Sequence, residues 1–177
     1  MVVVIPRVYA DWSSALERFA QGGDDESVLH AMRQGQLDWT PGVATLFSER
    51  INEVFDQRLK ALGSRLDRSF KYCRDEVDVV RALLDARRQL TVLHWLASLE
   101  VLPEVLRSHL QALLQKAAQA MQQSLEDGAR SQRSDALLRT LRQQDLRHFQ
   151  AAMPMPVPAA GEPPPSSVPS KRRSFLV

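Results

Sequence analysis

Apolar residues recur at intervals of three and four along most of this chain, the period of one helical face, and no stretch shows the alternation of a half-buried strand. Between Val8 and Gln21 the positions Val8, Trp12, Ala15, Leu16 and Phe19 predict a first helix, ended by Gly22-Gly23. Asp24 and Asp25 offer carboxylate caps to a short second helix carrying Val28, Leu29 and Met32, with Gly35 as its left-handed stop. Thr40-Pro41 is a stronger start signal, an N-cap hydroxyl followed by proline at the first helical position.

From Val43 the stripe continues through Phe47, Ile51, Phe55, Leu59, Leu62, Leu66, Phe70, Cys73, Val77, Val80 and Leu84, 41 residues in 11 steps. That mean step of about 3.7 lies nearer the straight-helix period than the 3.5 of a left-handed zipper, so it predicts a bundle. Asp56 with Lys60, Asp67 with Lys71 and Arg81 with Asp85 fit a solvated face. A single rod over 43–102 would extend roughly 90 Å and could not cover its own stripe. The polar run 71–76 is the expected hairpin, and the alternative is a rod covered by a second copy in a homodimer. A further helix is expected over Glu104 to Asp127, with Val105, Leu106, His109, Leu110, Leu113, Leu114, Ala117, Met121 and Leu125 inward. After a polar stretch at 128–133, Ser134-Asp135 caps a last helix with Leu137, Leu138, Leu141, Leu146 and Phe149 on one side.

The fold class that follows is all-α: a bundle of long antiparallel helices over 41–150, with short N-terminal helices packed on it from 1–40. Seven of the ten prolines lie after Gln150. The segment 151–177 is therefore expected to be a disordered, proline-rich, basic tail. No run of about 20 apolar residues marks a membrane span. The apolar Val2 to Ile5 is cut off by Pro6 and Arg7 before it reaches secretory length. One cysteine, Cys73, leaves no intrachain disulfide, so a reducing cytoplasm is expected, and arginine outnumbering lysine 19 to 4 suggests a bacterial source.

The formal charge is +2, too small to make nucleic acid an obligatory partner. The positive excess lies at the C-terminal end, in Arg130, Arg133, Arg139, Arg142 and Arg147 and in Lys171-Arg172-Arg173. Those five helical arginines are the candidate nucleic-acid contacts of the alternative reading. Little else points to chemistry. Only Glu26 and His30 stand at i, i+4 among acids and histidines, which predicts a surface ion pair and falls short of the three protein ligands a catalytic zinc site needs. Asp24, Asp25 and Glu26 are accounted for by capping. His94 beside Trp95 is expected to be a hydrogen-bonded core residue, and Cys73 a small buried hydrophobe. There is no phosphate loop, nucleophile elbow or Cys-x-x-Cys, so the expectation is a non-enzyme without cofactor or metal.

What remains is recognition. Trp39, in the connector before Thr40, is expected to be half exposed, packing near Ala44 or meeting a partner. The chain's last residues, Lys171, Arg172, Arg173, Phe175, Leu176 and Val177, put an apolar tip behind a basic cluster on a proline-rich leash, the pattern of a short docking peptide. The expected function is protein–protein interaction by an adaptor, chaperone or assembly subunit of a larger bacterial complex, through a helix face or this tail.

Overall fold

A computed structural model describes residues 4–23, 25–72 and 75–150, together with the backbone of Ala151. Six α-helices and a closing 3₁₀ segment account for nearly all of it: α1 (Tyr9–Gln21), α2 (Asp25–Arg33), α3 (Pro41–Tyr72), α4 (Glu76–Ala97), α5 (Glu104–Ser131), α6 (Asp135–Gln143) and the 3₁₀ segment Leu146–Ala151. No strand occurs among the described residues. The protein is all-α and bundled, as the periodicity predicts. The expectations placed on Asp24, Cys73, Arg74 and residues 152–177 lie outside the described residues.

The long stripe is a hairpin. Helix α3 ends at Tyr72, and Asp75 starts α4 by accepting the backbone N–H of Asp78 on Oδ1 at 2.9 Å. Arg58 meeting Gln89 and Arg65 meeting Asp85 fix the two helices as antiparallel neighbours. The rod over 43–102 is therefore excluded. The hairpin also resets the phase of the stripe, because a break in the helix breaks the angular register on which a fixed step depends. Val77 and Leu84, expected inward, are 62% and 50% exposed, while Val79, Leu83, Ala86, Leu90 and Leu93 face the core. The same correction applies at α5. Val105 is 83% exposed and His109 is exposed, and the buried row runs Leu106, Leu110, Leu114, Ala118, Gln122, Leu125 and Ala129. That row carries the helix to Ser131, through most of the stretch expected as a polar loop.

Helices α3, α4 and α5 pack on one another as a three-helix core, and the remaining elements lie on its surface. Helix α1 packs on α3, α2 on α4, and the two on each other, so this pair lies across the α3–α4 groove. Trp12 and Trp39 present ring edges to the buried Phe47 at 5.6 and 5.2 Å, and each indole N–H is satisfied, by the carbonyls of Gln36 and Val101 at 3.0 Å. Trp39 thus packs on Phe47, three residues beyond the Ala44 expected to receive it, and ties the α2–α3 connector to the α4–α5 turn. Gly35 is not a left-handed stop: positive φ is confined to Gly22, Gly23 and Arg133 among the described residues. Its missing side chain serves close packing, since a Cβ there would lie 2.7 Å from the Trp12 ring and 2.9 Å from Pro6.

The last expected helix is two elements. Ser134 caps α6 by accepting from the Leu137 N–H, and Gln144 ends it. Leu146 and Phe149 then belong to the 3₁₀ segment, which with α6 covers the α4–α5 groove. Buried polar groups make this closure specific. Gln122 donates to the Leu141 carbonyl at 3.2 Å and accepts from the Leu146 N–H at 3.1 Å, and Thr91 Oγ1 lies 2.9 Å from the Phe149 carbonyl. Each satisfies a backbone group that a turn between helices would otherwise leave unpaired.

Candidate docking groove

A three-helix core has three grooves between neighbouring helices, and the chain covers two. Neither the α1–α2 pair nor the α6–3₁₀ pair touches both α3 and α5, which run parallel, so the α3–α5 groove stays open among the described residues. Its walls come from periodicity. On α3, Gly63, Leu66 and Asp67 face it. On α5, Ala120, Met121, Ser124 and Leu125 do. They line a half-open cavity of about 200 Å³. Three of these seven residues are small, Gly63 on α3 and Ala120 and Ser124 on α5, and Ala117 and Gly128 extend the α5 row by one turn in each direction.

Gly63 is informative here. A glycine inside a long helix costs about 1 kcal/mol relative to alanine. A Cβ built at Gly63, or at Gly128, would meet nothing within 4 Å, so the chain's own packing does not require a glycine at either position. Both leave open space beside the helix, which is what a close-packed visitor needs.

Elsewhere, polar groups are committed internally. Arg58, which no sequence motif singles out, is 8% exposed and joins four elements. Its guanidinium donates to the Phe19 carbonyl at 2.8 Å, to both Asp25 carboxylate oxygens at 3.1 and 2.7 Å, and to Gln89 Oε1 at 3.0 Å, and it stacks 4.9 Å from the Phe19 ring. Asp25 is therefore an ion-pair partner as well as a residue of the first turn of α2, which corrects its reading as a cap alone. The arginine neutralises the C-terminal end of α1 where Gly22 turns the chain. Clefts of about 380 and 210 Å³ flank this cluster, lined by equal numbers of acids and arginines, among them Asp25, Glu26, Asp85, Arg65 and Arg88. A helix face rich in arginine gave no sequence signal that one of them was buried. Only its register with the inward row, three residues after Phe55 and four before Leu62, could have shown it.

The ion pairs expected from sequence are rearranged by tertiary packing. Glu26 reaches Arg88 at 3.5 Å and His30 meets Gln34, so Glu26 and His30 do not pair. Asp85 pairs with Arg65 across the hairpin, and Arg81 with Asp78. His94 is half-buried against the Phe149 ring at 5.9 Å, and its Nδ1 is buried with no hydrogen-bond partner among the described residues, unlike the satisfied imidazole expected. Burial lowers its pKa below the ordinary histidine value. No group of three or more His, Cys, Asp or Glu able to hold a metal ion occurs among the described residues.

Of the candidate partner residues, Trp39 is half-buried in the joint described above, and Lys171 to Arg173 and Phe175 to Val177 lie outside the described residues. The five candidate nucleic-acid arginines are not gathered as free cations. Arg130 pairs with Glu126 and Asp127, Arg147 with Asp145, and Arg139 bonds the Asp135 carbonyl, while Arg133 and Arg142 are exposed. No helix among the described residues is long and apolar enough to cross a membrane. Comparison with protein-family models, with curated proteins and with solved structures finds no match to this chain.

Proposed function

We propose that the protein is a non-enzymatic interaction protein, an adaptor, chaperone or assembly subunit, whose α3–α5 groove receives a helix of a partner protein. One observation carries the reading: two of the three core grooves are filled by the chain's own helices, and the third, with small residues on both walls, is left uncovered. Helices fill the other two grooves, and small side chains at Gly63, Ala120 and Ser124 let a third helix backbone approach closely, so helix-in-groove recognition is the mode that fits. The single cysteine supports a reducing, cytoplasmic setting, and the arginine-rich composition a bacterial one.

The test is direct binding of a partner captured from the native source after nuclease treatment, then purified. Ala120 is exposed, so Ala120→Glu places a charge in the groove without touching the core. The expected result is binding at least tenfold weaker, about 1.4 kcal/mol, with an unchanged unfolding midpoint. Gln123→Glu, exposed on the adjacent face of α5, should bind as the parent does. Equal binding by Ala120→Glu would overturn the groove, and only nuclease-sensitive material in the capture would favour a nucleic-acid role.

A further inference from the structure

We infer that the α3–α5 groove is regulated from within the chain: Phe175, on its proline-rich leash, occupies the cavity beside Gly63 and Met121, and a partner helix must displace it. The inference rests on the reading of the groove as the docking site, and four observations select this occupant.

The first is size. The cavity holds about 200 Å³, and an apolar cavity of about 150 Å³ accepts a benzene ring. It suits one phenyl group, and Phe175 is the only aromatic residue after Phe149. The second is reach. The 3₁₀ segment packs on α4 and α5, so the described chain ends beside one wall of the groove. Phe175 lies 24 residues past Ala151. In a polyproline conformation that is about 74 Å of chain, against a helix diameter of about 10 Å to be crossed.

The third is charge. Residues 151–177 carry Lys171, Arg172 and Arg173 against Glu162, so of the chain's net +2 all belongs to this segment and the body is neutral. Asp67 lines the cavity, and Asp56 stands three turns away on the same flank of α3. Both are exposed and neither makes an ion pair with a described residue, so each is open to the basic cluster just before Phe175, although Lys60 and Lys71 stand one turn further along α3. The fourth is the spare glycine: Gly63 leaves room over the cavity that the body does not use. The two clefts around Arg58 are larger, but their linings are charged, and they suit an apolar tip poorly.

A tethered segment competes at an effective concentration in the millimolar range, so even weak docking raises the threshold for a partner. The test uses the full chain with Cys73→Ser and Ser174→Cys, a nitroxide on the new thiol, and methyl-labelled methionine. Met121 lines the cavity, whereas Met32, on the inner face of α2, is fully buried and serves as the reference. The expected result is selective broadening of the Met121 methyl resonance, unchanged on dilution and relieved by Phe175→Ala. Phe175→Ala in the otherwise native chain should also bind the purified partner several-fold more tightly. Broadening that fades on dilution would assign the groove to the tail of a second copy and overturn the proposal. Absence of broadening, or broadening that survives Phe175→Ala, would overturn it as well, with the docking reading untouched if Ala120→Glu still abolishes partner binding. If Ala120→Glu leaves partner binding intact, the docking reading fails by itself, and Met121 still reports where Phe175 lies.

Discussion

Arg58 joins more elements than any other polar side chain among the described residues. Its guanidinium carries four hydrogen bonds to α1, α2 and α4 while itself standing on α3, and Asp25, its ionic partner, is only 18% exposed. A pair so placed contributes little net energy compared with a hydrophobic replacement of both members, but losing one member strands the other's charge away from water. Arg58→Met keeps much of the stem's packing and removes the head. The expected cost is about 3 kcal/mol, seen as a lower urea midpoint with an unchanged slope. Adding Asp25→Leu should recover most of that loss, because no charge is then left uncompensated. If the single variant loses less than about 0.5 kcal/mol, the range of an exposed pair, the cluster is solvated and the elbow between α1 and α2 is held by packing alone.

Among the elements, the 3₁₀ segment is expected to loosen in acid. It rests on α4 through Phe149, whose carbonyl meets Thr91 and whose ring meets the half-buried His94. Burial holds the His94 pKa below 6.5, so the folded protein binds fewer protons than the unfolded chain between that lowered value and 6.5. Stability contributed by neutral His94 is present above 6.5 and is lost as pH falls through this window. Amide exchange of residues 146–150 should accelerate there, and His94→Gln should flatten the dependence; an identical profile in that variant would remove His94 as the cause. Asp145 acts lower on the scale. Its hydrogen bond from Arg147 depresses its pKa below 3.8, so its contribution persists to more acid conditions and disappears beneath that value. Elements of this kind show where sequence reading stops. The caps at Thr40 and Ser134, the starts of α3 and α6 and the core faces of α1 and α3 follow from residue type and period, which are local. The phase of α4, the outward Val105, the division of the last helix at Gln144 and the burial of Arg58 depend on which neighbour a face meets. That is set by the register between elements distant in sequence.

At the scale of the molecule, the hairpin at 72–76 decides how the apolar stripe is covered. A rod would need a second chain, whereas α3 folded back on α4 and joined by α5 buries Phe47, Ile51, Phe55, Leu83, Leu90 and Leu110 within one copy. The two helical pairs then close two grooves, leaving as exposed large apolar side chains among the described residues Val4, Ile5 and Val8 ahead of α1, and Leu46, Tyr72, Val77, Leu84 and Val105 spread over the three long helices. Scattered exposure of that kind is ordinary for a folded monomer and does not by itself call for a partner copy. Folding and association should therefore be separable. Thermal unfolding at pH 7.5 is expected to be a single transition whose midpoint stays constant over a hundredfold dilution, since the chain's own helices bury its core side chains. A midpoint that falls with dilution would mean that the native state is bound to a second copy, and the open α3–α5 groove would be the first surface to assign to it. Constancy would leave that groove as a surface the fold does not need for its own stability, available to a partner helix and to the chain's own Phe175.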